Sequence, residues 1–456
     1  MNFVYTPSRK TAAEPESIPV SRFMLLTAPA VVSSPTAMSG WCDDVSQPRH
    51  GDCWVNTMET YLLDWANLLL RWVHVITAIA WIGSSFYFVF LDSSLTPPVD
   101  EDLKKQGVSG ELWAVHGGGF YHPVKFALKP PQMPAHLHWF YWEAYSTWLT
   151  GIALFSVSYL WQASTYLIDK SLMDWSPVAA GAAALSFLVI FWLLYDGICR
   201  VMGQRKNADA LVGAGVLVLV CAASWLACHL FAGRAAFLLV GAMIATAMSA
   251  NVFFWIIPGQ RTVVACIKAG EPVDPVHGQR GKQRSVHNTY FTLPVLFAML
   301  SNHYSFTWSH PQNWLVLILM MFAGAAIRQF FVLRHGYKLG RNGNPLAYAL
   351  VGVAVILATI VWLKPAQRAA ASAVPAAVSY QMLQPVLAQR CYMCHGEQVQ
   401  MKNLRVDSPE AVALHAQAMY QQVVVSKIMP MNNATGITDE ERALVARWFE
   451  GGAPVR

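Results

Sequence analysis

The sequence Cys391-Tyr392-Met393-Cys394-His395 decides the fold expected for the C-terminal part of the chain. Two thiols three positions apart fit on one helical turn, where each can form a thioether with a vinyl group of a porphyrin. The next residue then places an imidazole beneath the iron. The C-x-x-C-H spacing therefore predicts a covalently bound haem c, attached at Cys391 and Cys394, with His395 as an axial ligand of the iron.

A second axial ligand is expected from a loop downstream of the cysteines. Met429-Pro430-Met431-Asn432 offers two thioethers, and a methionine before a proline resembles the axial-ligand loop of small class I cytochromes c. Met429 is the predicted ligand. Met431 is the alternative, although it can equally pack against the porphyrin edge, since methionine is more often a gap-filling residue than a ligand.

Helical patterns lie on both sides of the haem motif. Apolar residues at helical spacing predict a helix over residues 380–390, and Thr438-Asp439-Glu440-Glu441 has the form of a capping box at the start of a final helix. Residues 379–456 are therefore expected to form a small class I cytochrome c domain. A domain of this size has a marginal core, so the haem is expected to supply much of it.

The composition of the whole chain indicates a membrane protein. Hydrophobic residues make up 55% of the sequence and charged residues only 13%, about half of the charged fraction that is usual in soluble domains. The net charge of +6 comes from cations that lie between apolar stretches. No basic stripe or nucleic-acid motif is present, so the expected partner is the lipid bilayer and not a nucleic acid.

Eight stretches between residues 58 and 363 have the length and apolarity of a membrane span. They lie near 66–90, 138–160, 178–200, 209–232, 235–257, 287–304, 312–333 and 346–363. The predicted fold is all-α: a polytopic membrane bundle of about eight transmembrane helices over 58–363, followed by the cytochrome c domain. Residues 1–57 are expected to be a disordered extension, and residues 364–378 an Ala- and Pro-rich linker.

The distribution of positive charge predicts the orientation of the bundle. Most lysines and arginines between the spans lie in the first, third, fifth and seventh connections, which places these connections in the cytoplasm. Eight spans then place both chain ends outside, on the side where bacterial c-type haem is attached. We therefore expect a multi-pass protein of the bacterial inner membrane, with its cytochrome c domain on the periplasmic side.

Polar residues within the predicted spans are candidate functional groups, because ionisable groups are costly in a bilayer. Glu143 lies in the second span, seven residues after His136, so that the two share a helix face. A buried carboxyl group suits a general base, because burial raises its pKa towards neutrality. A structural salt bridge from Glu143 to Arg328 or Lys125 is the alternative.

Histidines in the spans are candidate ligands of a second haem. His74 lies on one face of the first span with Thr77 and Trp81, and that face is expected to point inward. His74, His229 and His303 lie towards the outer side, where imidazoles from different helices can ligate a b-type haem. A hydrogen-bonded packing role is the alternative for each of them.

Three tryptophan-rich or histidine-rich stretches resemble a known family. The first runs from Trp65 to Leu95 and contains Arg71-Trp72-Val73-His74 and Trp81-Ile82-Gly83. The second runs from Trp113 to Gly151 and contains His116-Gly117-Gly118 and His138-Trp139-Phe140-Tyr141-Trp142-Glu143-Ala144-Tyr145. The third runs from Pro294 to Tyr304 and ends with Ser301-Asn302-His303-Tyr304. Together they resemble the membrane-bound urate hydroxylases, which are integral-membrane urate oxidases with a fused cytochrome c. The resemblance covers the chain from about Met58 to its end.

The resemblance implies an activity and a set of site residues. Urate would gain a hydroxyl group from water to give 5-hydroxyisourate, and its two electrons would leave through haem c to a soluble or membrane acceptor, a cytochrome or an oxidase. Glu143, with His138 and His136, would form the catalytic group that takes the proton. The substrate would be held by hydrogen-bond donors and stacking surfaces, namely Arg328, Gln329, Asn251, Asn288, Trp139, Trp142 and Trp255.

This assignment raises a question of distance. The substrate groups lie towards the cytoplasmic side, so electrons would cross most of a core roughly 30 Å thick to reach haem c. Either a b-type haem bridges the bundle, which we favour, or the substrate site lies nearer the outer face. A respiratory subunit, linked to quinol or copper and carrying a tethered cytochrome c, is the main rival function, and a transporter or sensor with a redox module is a third.

Overall fold

A computed structural model describes residues 50–205, 207–364, 378–401 and 404–455. Residues 1–49 of the extension that was predicted over residues 1–57 lie outside the described residues. Residues 365–377 of the predicted linker lie outside them as well. The described chain is mostly helical, as predicted.

Residues 50–205 and 207–364 form a bundle of helices and two small sheets. In chain order, the elements are α1 (His50–Ser94), α2 (Glu101–Lys105), β1 (Val108–Glu111), β2 (Ala114–His116), β3 (Gly119–Tyr121), β4 (Val124–Phe126), α3 (Trp142–Phe155), α4 (Ala163–Tyr166), α5 (Pro177–Met202), α6 (Ala208–Leu230), α7 (Gly233–Asn251), α8 (Ile257–Ala269), α9 (Pro275–Leu300), α10 (Ser305–Trp308), α11 (Asn313–Lys338) and α12 (Leu346–Trp362). Short π-helical segments, Ser156–Leu160 and Val252–Ile256, extend α3 and join α7 to α8. A 3-10 turn, Ser301–His303, follows α9.

Several of these helices can cross a membrane. Within the described chain, five segments are long and apolar enough, namely Tyr61–Ser94, Pro177–Met202, Ala208–Leu230, Gly233–Ala269 and Asn313–Lys338. They coincide with five of the eight predicted spans. Helices α3, α9 and α12 occupy the other three predicted positions, but α12 has only 17 residues and the first half of α9 is polar.

Helix α7 forms the centre of the bundle and packs against α3, α5, α6 and α9. Most of its residues are buried, among them Ala235, Gly241 and Ala247. At Gly241 a Cβ atom would lie 3.0 Å from the Cβ of Ala298. A glycine at this position therefore lets the backbones of α7 and α9 approach closely, as small residues do between membrane helices.

Helix α1 lies at the edge of the bundle, and polar side chains attach it to α3. Asn67 Nδ2 donates to Ser158 Oγ at 2.7 Å, and the Nδ1 atom of His74 lies 3.1 Å from the carbonyl oxygen of Thr147. A Cβ atom on Gly151 would lie 3.0 Å from the His74 ring. The prediction that the His74 face of α1 points inward is therefore confirmed.

The connection after α1 contains two antiparallel hairpins that the all-α prediction did not include. Strand β1 pairs with β4. Strands β2 and β3 lie between them in the sequence and pair with each other. Gly117 and Gly118 form the inner turn with φ values of +58° and +79°. Two central residues with positive φ define the tight hairpin turn that favours a Gly-Gly pair.

Residues from 378 onward, here called the C-terminal domain, pack around a hydrophobic core of their own. Its elements are α13 (Tyr380–Arg390), α14 (Tyr392–His395), α15 (Pro409–Leu414), α16 (Ala416–Met419), a π-helical segment (Tyr420–Val425), a 3-10 turn (Met431–Asn433) and α17 (Asp439–Glu450). The predicted helix over 380–390 is confirmed. The capping box is confirmed too, because Thr438 and Glu441 each bond to the backbone of the other.

A hydrogen bond joins the C-terminal domain to the bundle. Asn432 Nδ2 donates to the carbonyl oxygen of Thr165 in α4 at 2.5 Å. The end of the bundle that contains α4, the α6–α7 connection, α10 and the start of α11 is therefore called the domain-facing end. The opposite end, where α7 continues into α8, is called the far end.

Candidate functional site

The haem-attachment motif forms one helical turn. Helix α13 ends at Arg390, and the backbone N–H groups of Cys394 and His395 both donate to the carbonyl of Cys391, at 3.1 and 2.9 Å. Neither Cys391 nor Cys394 forms a disulfide with another described residue. Burial raises the pKa of the Cys391 thiol to about 11.

The side chain of His395 is oriented by the backbone. Its Nδ1 atom lies 3.2 Å from the carbonyl oxygen of Leu404. A carbonyl can only accept, so Nδ1 is the donor, and in the neutral imidazole the lone pair is then on Nε2. Metal-binding histidines are usually oriented in this way, with one ring nitrogen bonded to a carbonyl and the other left for the metal.

The loop around Met429 is held from two sides. The buried Arg442 donates from Nη1 to the carbonyl of Met429 at 2.8 Å, and the N–H of Met429 donates to the carbonyl of Gln422 at 3.0 Å. Met429 packs against the same core as Cys391. The donors of the C-terminal domain are thus two thiols, an imidazole with Nε2 available and a thioether, and this set fits a c-type haem.

The start of α3 lies at the far end of the bundle. Ala144 is buried against Val252 and Ile257, and the guanidinium of Arg261 lies 5.9 Å from the Trp139 ring centroid. Among the described residues, the carboxylate of Glu143 has no hydrogen bond or ion pair. Lys125, one alternative partner for Glu143, pairs with Asp92 instead. The other predicted residues here, His136, His138 and Trp142, are exposed. Helix α3 begins only at Trp142, so the prediction that His136 shares a helix face with Glu143 is wrong.

Asn251 and Asn288 belong to a buried polar network in the far half of the bundle. Arg284 Nη2 lies 2.6 Å from Asp196 Oδ1, and the two residues are 2% and 5% exposed. Asn251 accepts from Arg284 at 3.3 Å and donates to the Tyr195 hydroxyl and to Asn288 Oδ1, each at 2.9 Å. Both N–H bonds of the Asn251 amide are therefore used inside the protein.

Arg328 and Gln329 lie on α11 and have different surroundings. Gln329 accepts a hydrogen bond from the Tyr290 hydroxyl. Arg328 is 4% exposed, its guanidinium lies 3.9 Å from the Phe86 ring centroid, and its Nε and Nη2 atoms have no hydrogen-bond partner in the described chain. Arg328 therefore belongs neither to the Asp196 network nor to an ion pair with Glu143.

The three histidines that were predicted as haem b ligands do not lie together. The Nδ1 atom of His74 lies 3.1 Å from Thr150 Oγ1, within the contact between α1 and α3. His229 ends α6, and its Nδ1 lies 2.7 Å from the carbonyl of Trp225. His229 and His303 line the same cavity at the domain-facing end, whereas His74 does not.

That cavity, here called the junction cavity, lies between the domain-facing end and the C-terminal domain. Its volume is about 630 Å³, which is within the usual range for small-molecule sites. The bundle contributes Arg234, Asn302 and Trp308, and the C-terminal domain contributes Met429 and Asn433. The cavity therefore brings the predicted axial ligand of haem c next to polar groups of the bundle.

Arg234 and Asn302 are adjacent in the junction cavity. Arg234 Nε and the Tyr159 hydroxyl both donate to Asn302 Oδ1, at 3.4 and 3.1 Å. The Arg234 guanidinium also lies 5.9 Å from the Tyr166 ring centroid. The cation and the amide of this pair are thus held together at the wall of the cavity.

Arg234 and Arg284 were not predicted as functional residues. Both belong to the cations that lie between the predicted spans. Arg284 precedes Asn288 by four residues on α9, and this spacing places the two on one helix face, so a local signal for Arg284 existed. Arg234 has no such signal, since its partners Asn302 and Tyr159 are 68 or more residues away in the sequence.

The fold defines a helical protein with several segments that can span a membrane, joined to a smaller helical domain that contains the C-x-x-C-H motif. Residues 60–364 match the family model described as Urate oxidase N-terminal. This match covers more than half of the chain, so the chain belongs to that family. No curated protein and no solved structure matches the chain. Membership of the family indicates an oxidoreductase with urate-related chemistry.

Proposed function

We propose that the protein is a membrane-bound urate hydroxylase that converts urate to 5-hydroxyisourate and passes the electrons through haem c to a cytochrome or an oxidase. Water supplies the added oxygen, and the reaction releases two electrons and two protons for each urate. A haem c at Cys391 and Cys394 accepts electrons one at a time, so each urate requires two transfers. The proposal includes eight spans in the bacterial inner membrane and a periplasmic C-terminal domain.

Two features on the same chain support this proposal. The first is the match of residues 60–364 to the urate oxidase family. The second, which carries the proposal, is the hydrogen bond from His395 Nδ1 to the Leu404 carbonyl, because it leaves Nε2 available beside the two cysteines of the haem motif. A domain that oxidises urate needs an electron acceptor, and these residues are suited to hold one.

The sequence supplies one assignment of the reacting residues. Glu143, with His138 and His136, is the proposed base. The proposed substrate contacts are Trp139, Trp142, Asn251, Asn288, Arg328 and Gln329. This assignment puts urate at the far end and needs a b-type haem, ligated by histidines such as His74, His229 or His303, to carry electrons across the bundle.

An anaerobic titration tests the proposed function. Urate is added without oxygen to the oxidised, detergent-solubilised protein, and the haem c absorbance is followed together with the formation of 5-hydroxyisourate. We expect two haem reductions for each 5-hydroxyisourate formed. A Cys391→Ser/Cys394→Ser variant is the matched control, because it should lack covalent haem and give no reduction signal.

The same titration separates the proposal from the respiratory subunit. Reduction of the haem by quinol or dithionite, with none by urate, would reject the hydroxylase and favour the rival. A spectrum of reduced minus oxidised protein tests the bridging centre independently. A c-type band alone would remove the b-type haem from the proposal and leave the reaction itself intact.

A further inference from the structure

We propose that urate, as a planar anion, binds in the junction cavity against Arg234 and Asn302, and not at the far end of the bundle. The inference rests on the proposed function, since it names the place where that reaction occurs.

The position of the cavity shortens the path of the electrons. Helix α7 runs 19 residues from Gly233 at the domain-facing end to Asn251, about 28 Å at a rise of 1.5 Å per residue. A substrate beside Asn251 is therefore separated from the C-terminal domain by most of the bundle. Met429 lines the junction cavity itself. A substrate in the cavity lies next to the loop of the predicted axial ligand, and no bridging haem is needed.

The charged side chains that line the cavity are three cations and one carboxylate, a balance that suits an anion: Arg234, Lys427, Arg442 and Asp169. Among the described residues, Arg234 has no carboxylate partner, and its Nε atom bonds only to the neutral amide of Asn302. Lys427 already pairs with Asp439 at 2.9 Å, and Arg442 donates to backbone carbonyls of its own domain. Urate is a monoanion at neutral pH, and a guanidinium is the side chain best suited to bind such a planar anion through two parallel hydrogen bonds.

The orientation of the Asn302 amide adds a donor to this site. Its Oδ1 atom accepts from both Tyr159 and Arg234, so its Nδ2 group is directed away from these two donors. Within the described chain, that NH₂ group has no acceptor. Urate carries several carbonyl oxygens, which can accept hydrogen bonds from Asn302 and from the remaining N–H groups of Arg234.

Two more residues of the cavity wall have unused polar atoms. Trp308 Nε1 and Asn433 Oδ1 are buried without hydrogen-bond partners in the part of the chain that the structure describes. Buried polar atoms in folded proteins usually have partners. A purine with both N–H groups and carbonyl oxygens can supply an acceptor for the indole and a donor for the amide after small side-chain rotations.

The polar network around Asn251 offers less to a substrate. Asn251 is fully buried, and its two N–H bonds go to Tyr195 and Asn288. Arg284, the cation bonded to Asn251, is neutralised by Asp196. A urate beside Asn251 would have to break bonds that the protein already makes within itself, whereas the junction cavity holds a cation and an amide that are free to bind it.

Direct binding measurements test the inference. Radiolabelled urate is equilibrated by dialysis with the full-length, haem-loaded protein after reduction by dithionite, so that no turnover occurs. We expect Arg234→Gln to weaken binding about 10- to 100-fold, the loss that accompanies removal of one charged hydrogen-bonding group. Arg234→Lys keeps the charge but lacks the paired N–H donors of a guanidinium. We therefore expect its affinity for urate to lie between those of the parent and Arg234→Gln.

Two further variants keep the experiment decisive. Lys170→Gln removes an exposed cation next to Asp169 but outside the cavity lining, and binding should stay at the parent value. Ser309→Trp places a large side chain at an exposed position of the cavity wall and should weaken binding even if Arg234→Gln fails to fold. Haem absorbance and a thermal unfolding curve report whether each variant is folded.

The outcomes separate the two proposals. If the parent protein binds no urate, the proposed function fails. If the parent binds urate and neither Arg234→Gln nor Ser309→Trp weakens binding, the placement in the cavity is overturned. Equal losses for Lys170→Gln and Arg234→Gln would also overturn it, because they would show only a diffuse effect of charge. Loss of binding on Glu143→Gln with Arg234→Gln unaffected would restore the far-end assignment.

Discussion

Arg284 and Asp196 form an ion pair in the far half of the bundle, with Nη2 and Oδ1 2.6 Å apart and both side chains almost fully buried. The pair is completed by donors from its surroundings, since Trp255 Nε1 also donates to Asp196 Oδ1 at 2.8 Å. Taking two charges out of water is costly, and the cost is recovered only while both partners are present.

Removal of the acid of this pair should destabilise the protein strongly. Asp196→Asn leaves Arg284 charged and buried without a counter-ion, and we expect a loss of about 3–5 kcal/mol in the free energy of unfolding. Asp92→Asn is the matched control, because Asp92 and its partner Lys125 are both exposed, and a loss under about 1 kcal/mol is expected there. Thermal unfolding in detergent compares the two. Equal losses would contradict the structural role of the buried pair.

A second buried arginine should behave in the opposite way. Arg328 has no acidic partner in the described chain, so Arg328→Met removes a charge whose desolvation is not compensated. We expect its thermal midpoint to equal or exceed that of the parent, despite the loss of the contact with Phe86. Arg284→Met, which removes the buried one of the two arginines paired with Asp196 and leaves Arg200, should lower the midpoint. A large fall for Arg328→Met would mean that an anion normally neutralises this guanidinium.

The choice between two methionines as axial ligand can be tested by potentiometry. Methionine ligation raises the reduction potential of a haem relative to histidine ligation. Met429→His should therefore lower the potential by on the order of 0.1 V, within the ~0.8 V range that axial ligands span. Met431→Leu should leave the potential near the parent value. The reverse pattern would make Met431 the ligand.

The carboxylate of Glu111 should make the first connection sensitive to acid. The backbone N–H of Val99 donates to Glu111 at 2.8 Å, and the His122 ring lies 2.6 Å away; these contacts hold the pKa of Glu111 below its usual value of 4.5. A depressed pKa contributes stability that is present above about pH 4.5 and is lost as the pH falls through the folded-state pKa.

Glu111→Gln should therefore be less stable than the parent at neutral pH and should lose less stability on acidification. Limited proteolysis of the 95–135 connection, from neutral pH to about pH 3, measures both effects. Glu101→Gln is the control, because Glu101 is exposed. A parent and a Glu111→Gln variant with parallel pH profiles would show that this carboxylate does not hold the connection together.

Several features were predictable because they depend on neighbours in the sequence. The turn that holds Cys391, Cys394 and His395, the helix before it and the capping box at Thr438 all arise within one or two helical turns. Five of the apolar spans were recognisable for the same reason, since length and hydropathy are local properties. The two hairpins were missed, although Gly117-Gly118 is a recognised hairpin signal.

The sequence by itself determined the helical spans, the haem motif and the kinship with urate oxidases, because each is written in a continuous run of residues. Only the tertiary structure decided which polar groups have hydrogen-bond or ion-pair partners within the protein and which can still bind a ligand. Asn251 and Arg284 find partners within the bundle, whereas Arg234 and Asn302 meet at a cavity beside Met429. These contacts join residues that are far apart along the chain, and no local pattern encodes the distances between packed helices.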